Sequence, residues 1–185
     1  MSKAKLLQPD LILGDTILGL SQDVLDHYHI KGLILDVDET LVPLKKPHVS
    51  EELRLWINQI RRKTPIWLVS NNISENRIGS IANSLELPYL LGAVKPSRRK
   101  LKKAIRAMEL PIPQVAMVGD RLFTDVLAGN RLGMFTILVK PMVDPAIAVR
   151  SYPIHNFEVW ISEKLGVSLM SSQHNFTKRN RRPRN

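Results

Sequence analysis

In the stretch LILDVDETLVP, Asp36 and Asp38 follow an apolar run directly, and Thr40 comes shortly after them. Acids at the end of an apolar strand admit three readings: a metal site, a phosphoryl-transfer nucleophile, or a turn capped by Asx side chains. Three further segments bear on the choice. Ser70 and Asn71 follow the apolar run Ile66 to Val69, Lys95 follows Tyr89 to Leu91, and Asp120, Arg121 and Asp125 follow Val115 to Val118. Read singly, each has an ordinary structural reading as a turn, a solvated lysine, or acids at a helix start. Read together, they gather carboxylates, a hydroxyl and an ammonium at consecutive strand ends.

That set meets the needs of phosphoryl transfer. Asp36 and Asp120 can supply oxygens to Mg²⁺, a hard cation that keeps several waters and takes only one or two carboxylates. Such a cation offsets the repulsion between an anionic nucleophile and an anionic phosphate. Asp36 can attack phosphorus and form an aspartyl phosphate. Asp38 can protonate the leaving oxygen and then accept a proton from water, help typically worth about 10² to 10⁴ in rate. Ser70 and Lys95 can hold the phosphoryl oxygens. Asp125 either orients Lys95 or reaches the metal through water. Thr40, Asn71 and Arg121 complete the candidate set as substrate-binding residues, Thr40 also as a support for its loop.

These residues need a frame that brings strand ends together. Short apolar runs alternate with longer amphipathic stretches, the pattern of an α/β protein with a parallel sheet. The runs Gly32 to Leu35, Ile66 to Val69, Tyr89 to Leu91, Val115 to Val118 and Phe135 to Val139 read as strands covered on both faces. Between them, Ser50 is expected to cap a helix through Lys63, Ser74 one to Leu85, and Ser97 one to Met108. A fourth helix is expected from Thr124 to Leu132, with Gly133 as its C′ residue. Leu101, Ile105 and Met108 share a face of the third helix, leaving Arg98, Arg99, Lys102, Lys103 and Arg106 elsewhere on a basic amphipathic helix. Leu11 to Tyr28 holds a short helix in this reading, Phe157 to Leu165 another, and the tail from Ser171 is expected to be disordered. Trp56, Trp67 and Trp160 read as packing residues.

Composition sets limits on this picture. A chain of 185 residues with 44% hydrophobic and 24% charged residues fits one globular domain. The absence of cysteine removes disulfides, zinc thiolates and thiol nucleophiles. No signal peptide is read, because Asp10 and Asp15 interrupt the early apolar stretch, and no apolar run is long enough for a transmembrane span. The net charge of +10 is concentrated in the basic helix and in Lys178, Arg179, Arg181, Arg182 and Arg184, which suits an anionic partner.

The constellation resembles the haloacid dehalogenase (HAD) superfamily through all four of its motifs: DVDET, VSNN ending at Asn72, AVKPS around Lys95, and GDRLFTD from Gly119 to Asp125. KGLILDVDETLVP, WLVSNN, VKP and GDRLFTDVLAGNRLGMFTILVKP further resemble the capless YqeG-like branch, subclass IIIA, which includes phosphatases acting on phosphatidylglycerophosphate in mitochondria and plastids. The resemblance implies a three-layer, Rossmann-like α/β core of mainly parallel sheet flanked by helices, with no cap domain. The intervals from Asp36 to Ser70 and from Ser70 to Lys95 agree, each having room for one helix-plus-strand unit.

It also implies a metal set of Asp36, the Asp38 main-chain carbonyl, Asp120 and Asp125, with Mg²⁺ as cofactor and Asp36, Asp38, Ser70 and Lys95 as catalytic residues. The expected organisation is an N-terminal segment (1–31) packed on the core, a phosphatase domain (32–170) and a basic tail (171–185). The expected substrate is phosphatidylglycerophosphate, met at an anionic membrane on the cytoplasmic, matrix or stromal side. Contact would run through the basic helix, Leu11 to Leu20, or the tail. Two alternatives stand beside it: a phosphatase for a nucleic-acid end or soluble ester, and a non-catalytic protein binding RNA or a partner. Relatives often carry Asn where this chain has Glu39, which adds a negative charge beside the site.

Overall fold

Leu33, Ile34 and Leu35 form an unbroken apolar run because both faces of their strand are covered, and all three are fully buried. The computed structural model describes residues 3–45 and 48–142. Among these, six strands make one parallel sheet: β1 (Leu11–Ile12), β2 (Gly32–Leu35), β3 (Ile66–Val69), β4 (Tyr89–Leu90), β5 (Val115–Gly119) and β6 (Phe135–Leu138). Their spatial order is β1-β6-β5-β2-β3-β4, and every pair is parallel. From central β2 the chain winds outward through β3 and β4, then returns to the other side of β2 to form β5 and β6. The direction of winding therefore reverses between β2 and β5, and the crevice beyond their carboxyl ends is where such sheets hold ligands.

Helices cover both faces: α1 (Lys3–Leu6), α2 (Gln22–His27), α3 (Glu51–Ile60), α4 (Glu75–Leu85), α5 (Arg99–Met108) and α6 (Leu127–Leu132). The alternation of side chains along each strand sorts them into two cores. Leu33, Leu35, Leu68 and Val118 meet Leu25 of α2, Leu53 and Ile57 of α3, and Ile78 of α4. Ile34, Val69 and Met117 meet Leu101 and Ile105 of α5 and Ala128 of α6. Each fully buried Leu or Ile of this kind contributes about 1.5–3 kcal/mol. The result is the three-layer α/β fold that the sequence pattern implies.

Local rules set the helix starts. Ser50 accepts from Leu53 N at 3.2 Å and Ser74 from Arg77 N at 3.3 Å, so both caps stand where the sequence places them. Ser97 does not cap α5; that helix begins at Arg99 after Arg98, with no side-chain cap bond. The turn Ser97 N to Val94 O at 2.9 Å takes Ser97 instead. The helix expected from Thr124 starts earlier, as a π-helical turn over Leu122–Val126 that passes into α6 and ends at Gly133, φ +81°. Smaller differences are that α3 stops at Ile60, β4 at Leu90 and β6 at Leu138, while β5 runs on to Gly119.

The short helix expected within Leu11 to Tyr28 is α2, and a strand that the sequence reading did not anticipate precedes it. Leu11–Ile12 is not helical but a strand added to β6, and the helix begins only at Gln22. Leu11, Ile17 and Leu20 are buried in the first core, so Leu11 to Leu20 offers no apolar face to a membrane. Trp56 packs in the same core, its Nε1 donating to Leu20 O at 2.7 Å, and Trp67 packs against the second. The helix Phe157 to Leu165, Trp160 and the basic tail lie outside the described residues.

Asp10 and fully buried Thr136 fasten this segment to the sheet. Thr136 N and Oγ1 donate to Asp10 Oδ2 at 2.8 and 2.9 Å, and Asp10 N donates back to Oγ1 at 3.1 Å. Thr136→Val keeps the shape and the main-chain bond to Asp10 but removes the hydroxyl's bonds, and is expected to cost about 0.5–1.5 kcal/mol. Urea unfolding measures this; an unchanged midpoint would contradict it.

Candidate active site

Lys95 is the centre of the carboxyl edge of the sheet. Its backbone is pinned to the end of β3: Ala93 N donates to Ser70 O at 2.9 Å and Gly92 N to Asn72 O at 2.7 Å. Asn71 grips the Lys95 main chain from both sides, accepting from its N at 2.6 Å and donating to its O at 3.3 Å. The ammonium thereby donates to Asp36 Oδ1 at 2.6 Å and Val69 O at 2.9 Å, and it pairs with Asp125 Oδ1 at 2.7 Å. Lys95 is 5% exposed. Burial pulls its pKa down, yet Asp125 and Asp36 outweigh that and hold it above its ordinary value.

Two strand ends supply the surrounding acids. Asp36 follows β2, and its N donates to Val118 O at 3.0 Å, which extends the pairing with β5 up to the nucleophile candidate. Asp120 follows β5 and accepts from the buried Thr40 hydroxyl at 3.1 Å. Asp125 is carried by the π-helical turn and accepts from Arg121 N at 3.2 Å. Gly119 makes this approach possible, since a Cβ there would stand 2.7 Å from Asp125 Cβ and closer still to its carboxylate.

Asp36, Asp120 and Asp125 are all buried and can each offer an oxygen within 4.8 Å of the others. Burial raises Asp36 to about 6, an effect that Lys95 opposes and Asp125 reinforces. Burial raises Asp120 further, to about 8, with Asp125 and Asp36 adding repulsion and Arg121 opposing it. One ammonium thus faces three carboxylates. The remaining negative charge, the hard oxygen donors and their spacing fit a small divalent cation such as Mg²⁺.

The other site residues are placed around this centre. Ser70, 1% exposed, lies directly after the Val69 carbonyl that Lys95 contacts, and its Oγ accepts from Asn72 N at 3.0 Å. Asp38 points toward the β3–α4 junction. Its Oδ1 accepts from Arg77 Nε at 2.8 Å and its Oδ2 from Asn72 Nδ2 at 3.0 Å. Glu39, φ +66°, pairs with Arg121 Nη2 at 2.7 Å, and Arg121 Nε lies 3.8 Å from Asp120 Oδ2. The extra charge of Glu39 therefore has its own counter-ion. The structure brings Asp36, Lys95, Asp120, Asp125 and Thr40 into one cluster, uses the Asn71 amide on the Lys95 backbone, and sets Arg121 beside Glu39. Arg77 and Asn72 are the members that sequence reasoning missed. Asn72 was signalled by its place after Ser70, whereas Arg77 meets Asp38 only through the fold.

The family model described as HAD-hydrolase-like matches residues 93–156. The probable phosphatase YqeG of Bacillus subtilis is 35% identical over 127 residues, spanning 68% of this chain and 73% of that protein. The chloroplastic phosphatidylglycerophosphate phosphatase 1 of Chlamydomonas reinhardtii is 27% identical over 144 residues, spanning 71% of this chain and 53% of that protein. Among solved structures, the cobalt-bound deoxy-D-mannose-octulosonate 8-phosphate phosphatase YrbI of Haemophilus influenzae is 16% identical, covering 75% of this chain and 92% of that one with a TM-score of 0.49. The chain belongs to the HAD-like hydrolase family, with YqeG among its relatives.

The carboxylate cluster makes metal-free stability depend on pH. Folded Asp36 and Asp120 keep their protons to about 6 and about 8, while the unfolded chain releases them near 3.8. Between those values the folded state binds more protons, so its stability falls as pH rises from about 4 toward 8. Thermal unfolding in chelator should show a lower Tm at pH 8 than at pH 5, and added Mg²⁺ should raise Tm more at pH 8. Gly119→Ala should displace Asp125 and abolish most of that Mg²⁺ response; a full response in the variant would show that Asp125 does not need this approach.

Proposed function

We propose that this chain, a phosphoric monoester hydrolase of the HAD family, works through a phospho-aspartate and that its substrate is the phospholipid phosphatidylglycerophosphate. The observation that carries the reaction is the buried trio Asp36, Asp120 and Asp125 with Lys95 bonded to two of its members. In the first step a carboxylate oxygen of Asp36 attacks phosphorus and the ester P–O bond breaks. The leaving alkoxide takes a proton from Asp38. In the second step water attacks phosphorus, Asp38 accepts its proton, and the bond to Asp36 breaks, releasing inorganic phosphate. Ser70, whose oxygen already accepts from Asn72, donates its proton to a phosphoryl oxygen. Lys95 keeps Asp36 and Asp125 in place and screens their charge from the phosphate.

A bound Mg²⁺ would be held by Asp36, Asp120 and the Asp38 main-chain carbonyl, with Asp125 behind a water, and would supply neutralisation of the phosphoryl charge. Thr40 and Arg121 bear on the same group through Asp120. Asn71 acts at one remove by fixing the Lys95 backbone.

The substrate reading rests on two supports. One is the likeness to a protein named for phosphatidylglycerophosphate. The other is shape: among the described residues α3 and α4 fill the crossovers to β3 and β4, with no inserted domain in either. An open edge suits a phosphate presented by something large. Among the described residues no helix is long and apolar enough to cross a membrane, so contact with a bilayer would be peripheral, on the cytoplasmic, matrix or stromal side.

Phosphate release from phosphatidylglycerophosphate, compared with soluble esters and 5′-phosphorylated oligonucleotides, tests the substrate. Clear preference for the lipid is expected, and preference for the oligonucleotide would replace this reading. Turnover should need Mg²⁺, vanish in chelator and return when the cation is restored. Asp36→Asn should lower kcat by at least about 10³ with folding intact. Asp38→Asn should lower it by about 10² to 10⁴. Near-normal turnover in Asp36→Asn would falsify the nucleophile assignment.

A further inference from the structure

Among the described residues the large apolar side chains left exposed are Leu44, Leu55, Ile73 and Val94. Single exposed apolar residues are ordinary on a protein surface. Three of these, however, lie on the loops that leave the carboxyl ends of β2, β3 and β4, the edge that carries the site. Ile73, 80% exposed, follows the Ser70–Asn72 segment and lies in van der Waals reach of Gly92, where a Cβ would stand 3.4 Å from its Cγ2. Val94, 71% exposed, immediately precedes Lys95. Leu44, 51% exposed, follows Pro43, whose carbonyl accepts from the same Arg77 that holds Asp38.

Val94 adds a second indication. Its φ is +51°, in the left-handed region that a β-branched residue strongly disfavours. Packing does not hold it there, because its side chain is in solvent. Strain of this kind concentrates at functional segments.

Charge left without an ionic partner around the rim is mostly positive. Lys45 follows Leu44, and exposed Arg98 and Arg99 follow the turn that begins at Val94. Arg131 Nη1 donates to Pro96 O at 3.2 Å, which brings a further exposed cation to the same loop. The acids of this edge are engaged: Asp38 with Arg77, Glu39 with Arg121, and Glu75 with the Tyr89 hydroxyl.

We infer that Leu44, Ile73 and Val94 dock this edge on a lipid bilayer containing anionic lipid, the apolar side chains entering the headgroup boundary while Lys45, Arg98, Arg99 and Arg131 meet the anionic surface. Apolar tips on separate loops, ringed by cations, match a soft charged surface better than a shaped protein groove. Docked in this way, the opening beside Asp36 faces the plane of the lipid phosphates. This deepens the proposed lipid substrate and rests on it, but binding is tested without turnover.

Because the chain has no cysteine, single cysteines can carry an environment-sensitive NBD label. Ile73→Cys, Val94→Cys and, at the opposite end of β3, Lys63→Cys are titrated with vesicles of phosphatidylcholine and phosphatidylglycerol that contain no substrate. Emission at positions 73 and 94 should rise severalfold and shift to the blue, and at 63 it should not change. Leu44→Ser with Ile73→Ser should weaken vesicle binding about tenfold or more, while turnover of a soluble aryl phosphate stays within about twofold. Labels at 73 and 94 that remain wet on vesicles overturn the proposal. So does a signal that rises with protein concentration in the absence of vesicles, which would mark a contact between copies. Dry labels together with no lipid-phosphate turnover would remove the substrate reading and leave the docking surface standing; turnover with wet labels would do the reverse.

Discussion

One buried ammonium sets the terms for the whole carboxyl edge. Lys95 contacts Asp36 and Asp125 at 2.6 and 2.7 Å, and with Asp120 these acids form a buried cluster. Like charges at that spacing repel strongly in a poorly solvated site, and a buried charge without a partner is costly. Lys95 can satisfy two acids but not three. The part left over falls on Asp120, which Arg121 faces at 3.8 Å and whose proton is held to about 8. The fold thus tolerates an anionic pocket that only a proton or a cation completes, which is the electrostatic precondition for recruiting a metal.

The sheet makes that pocket possible by its order rather than by any single loop. β2 and β5 are neighbours although most of the crossovers separate them in sequence, and their register runs from Gly32 with Val115 to Leu35 with Val118. Asp36 N bonding to Val118 O continues it by one step. Asp36 and Asp120 therefore follow strands that are paired to their last residues. On the other flank, the close packing of Gly119 against Asp125 and the π-helical turn bring a second acid from the same strand end.

Much of this was legible in the sequence because chemistry and secondary structure speak in the same place. Asp36, Ser70, Lys95, Asp120 and Asp125 each follow an apolar run, and a parallel sheet brings such ends together whatever the loops do. The capping serines of α3 and α4 were legible for a local reason, a hydroxyl three residues before the amide it accepts from. What escaped detection depends on distant partners. Leu11–Ile12 is too short to carry a period and becomes a strand only because β6 has a free edge and Asp10 bonds Thr136. Arg77 with Asp38 and Glu39 with Arg121 are pairs across the fold, with no mark of each other in local spacing. The π-helical turn left no composition signal, since Thr124 onward reads as an ordinary helix.

The pinning of the Lys95 segment to the end of β3 has an architectural consequence. Ser70 O, Asn72 O and both ends of the Asn71 amide fasten residues 92–95 to residues 70–72, closing the intervening crossover into a loop tied off at its neck. Length changes within such a loop are absorbed before they reach the neck. The exposed outer face of α4, at Ser80 and Asn83, is therefore a natural attachment point for a reporter: a label there leaves the tie, and the chemistry beyond it, with its geometry.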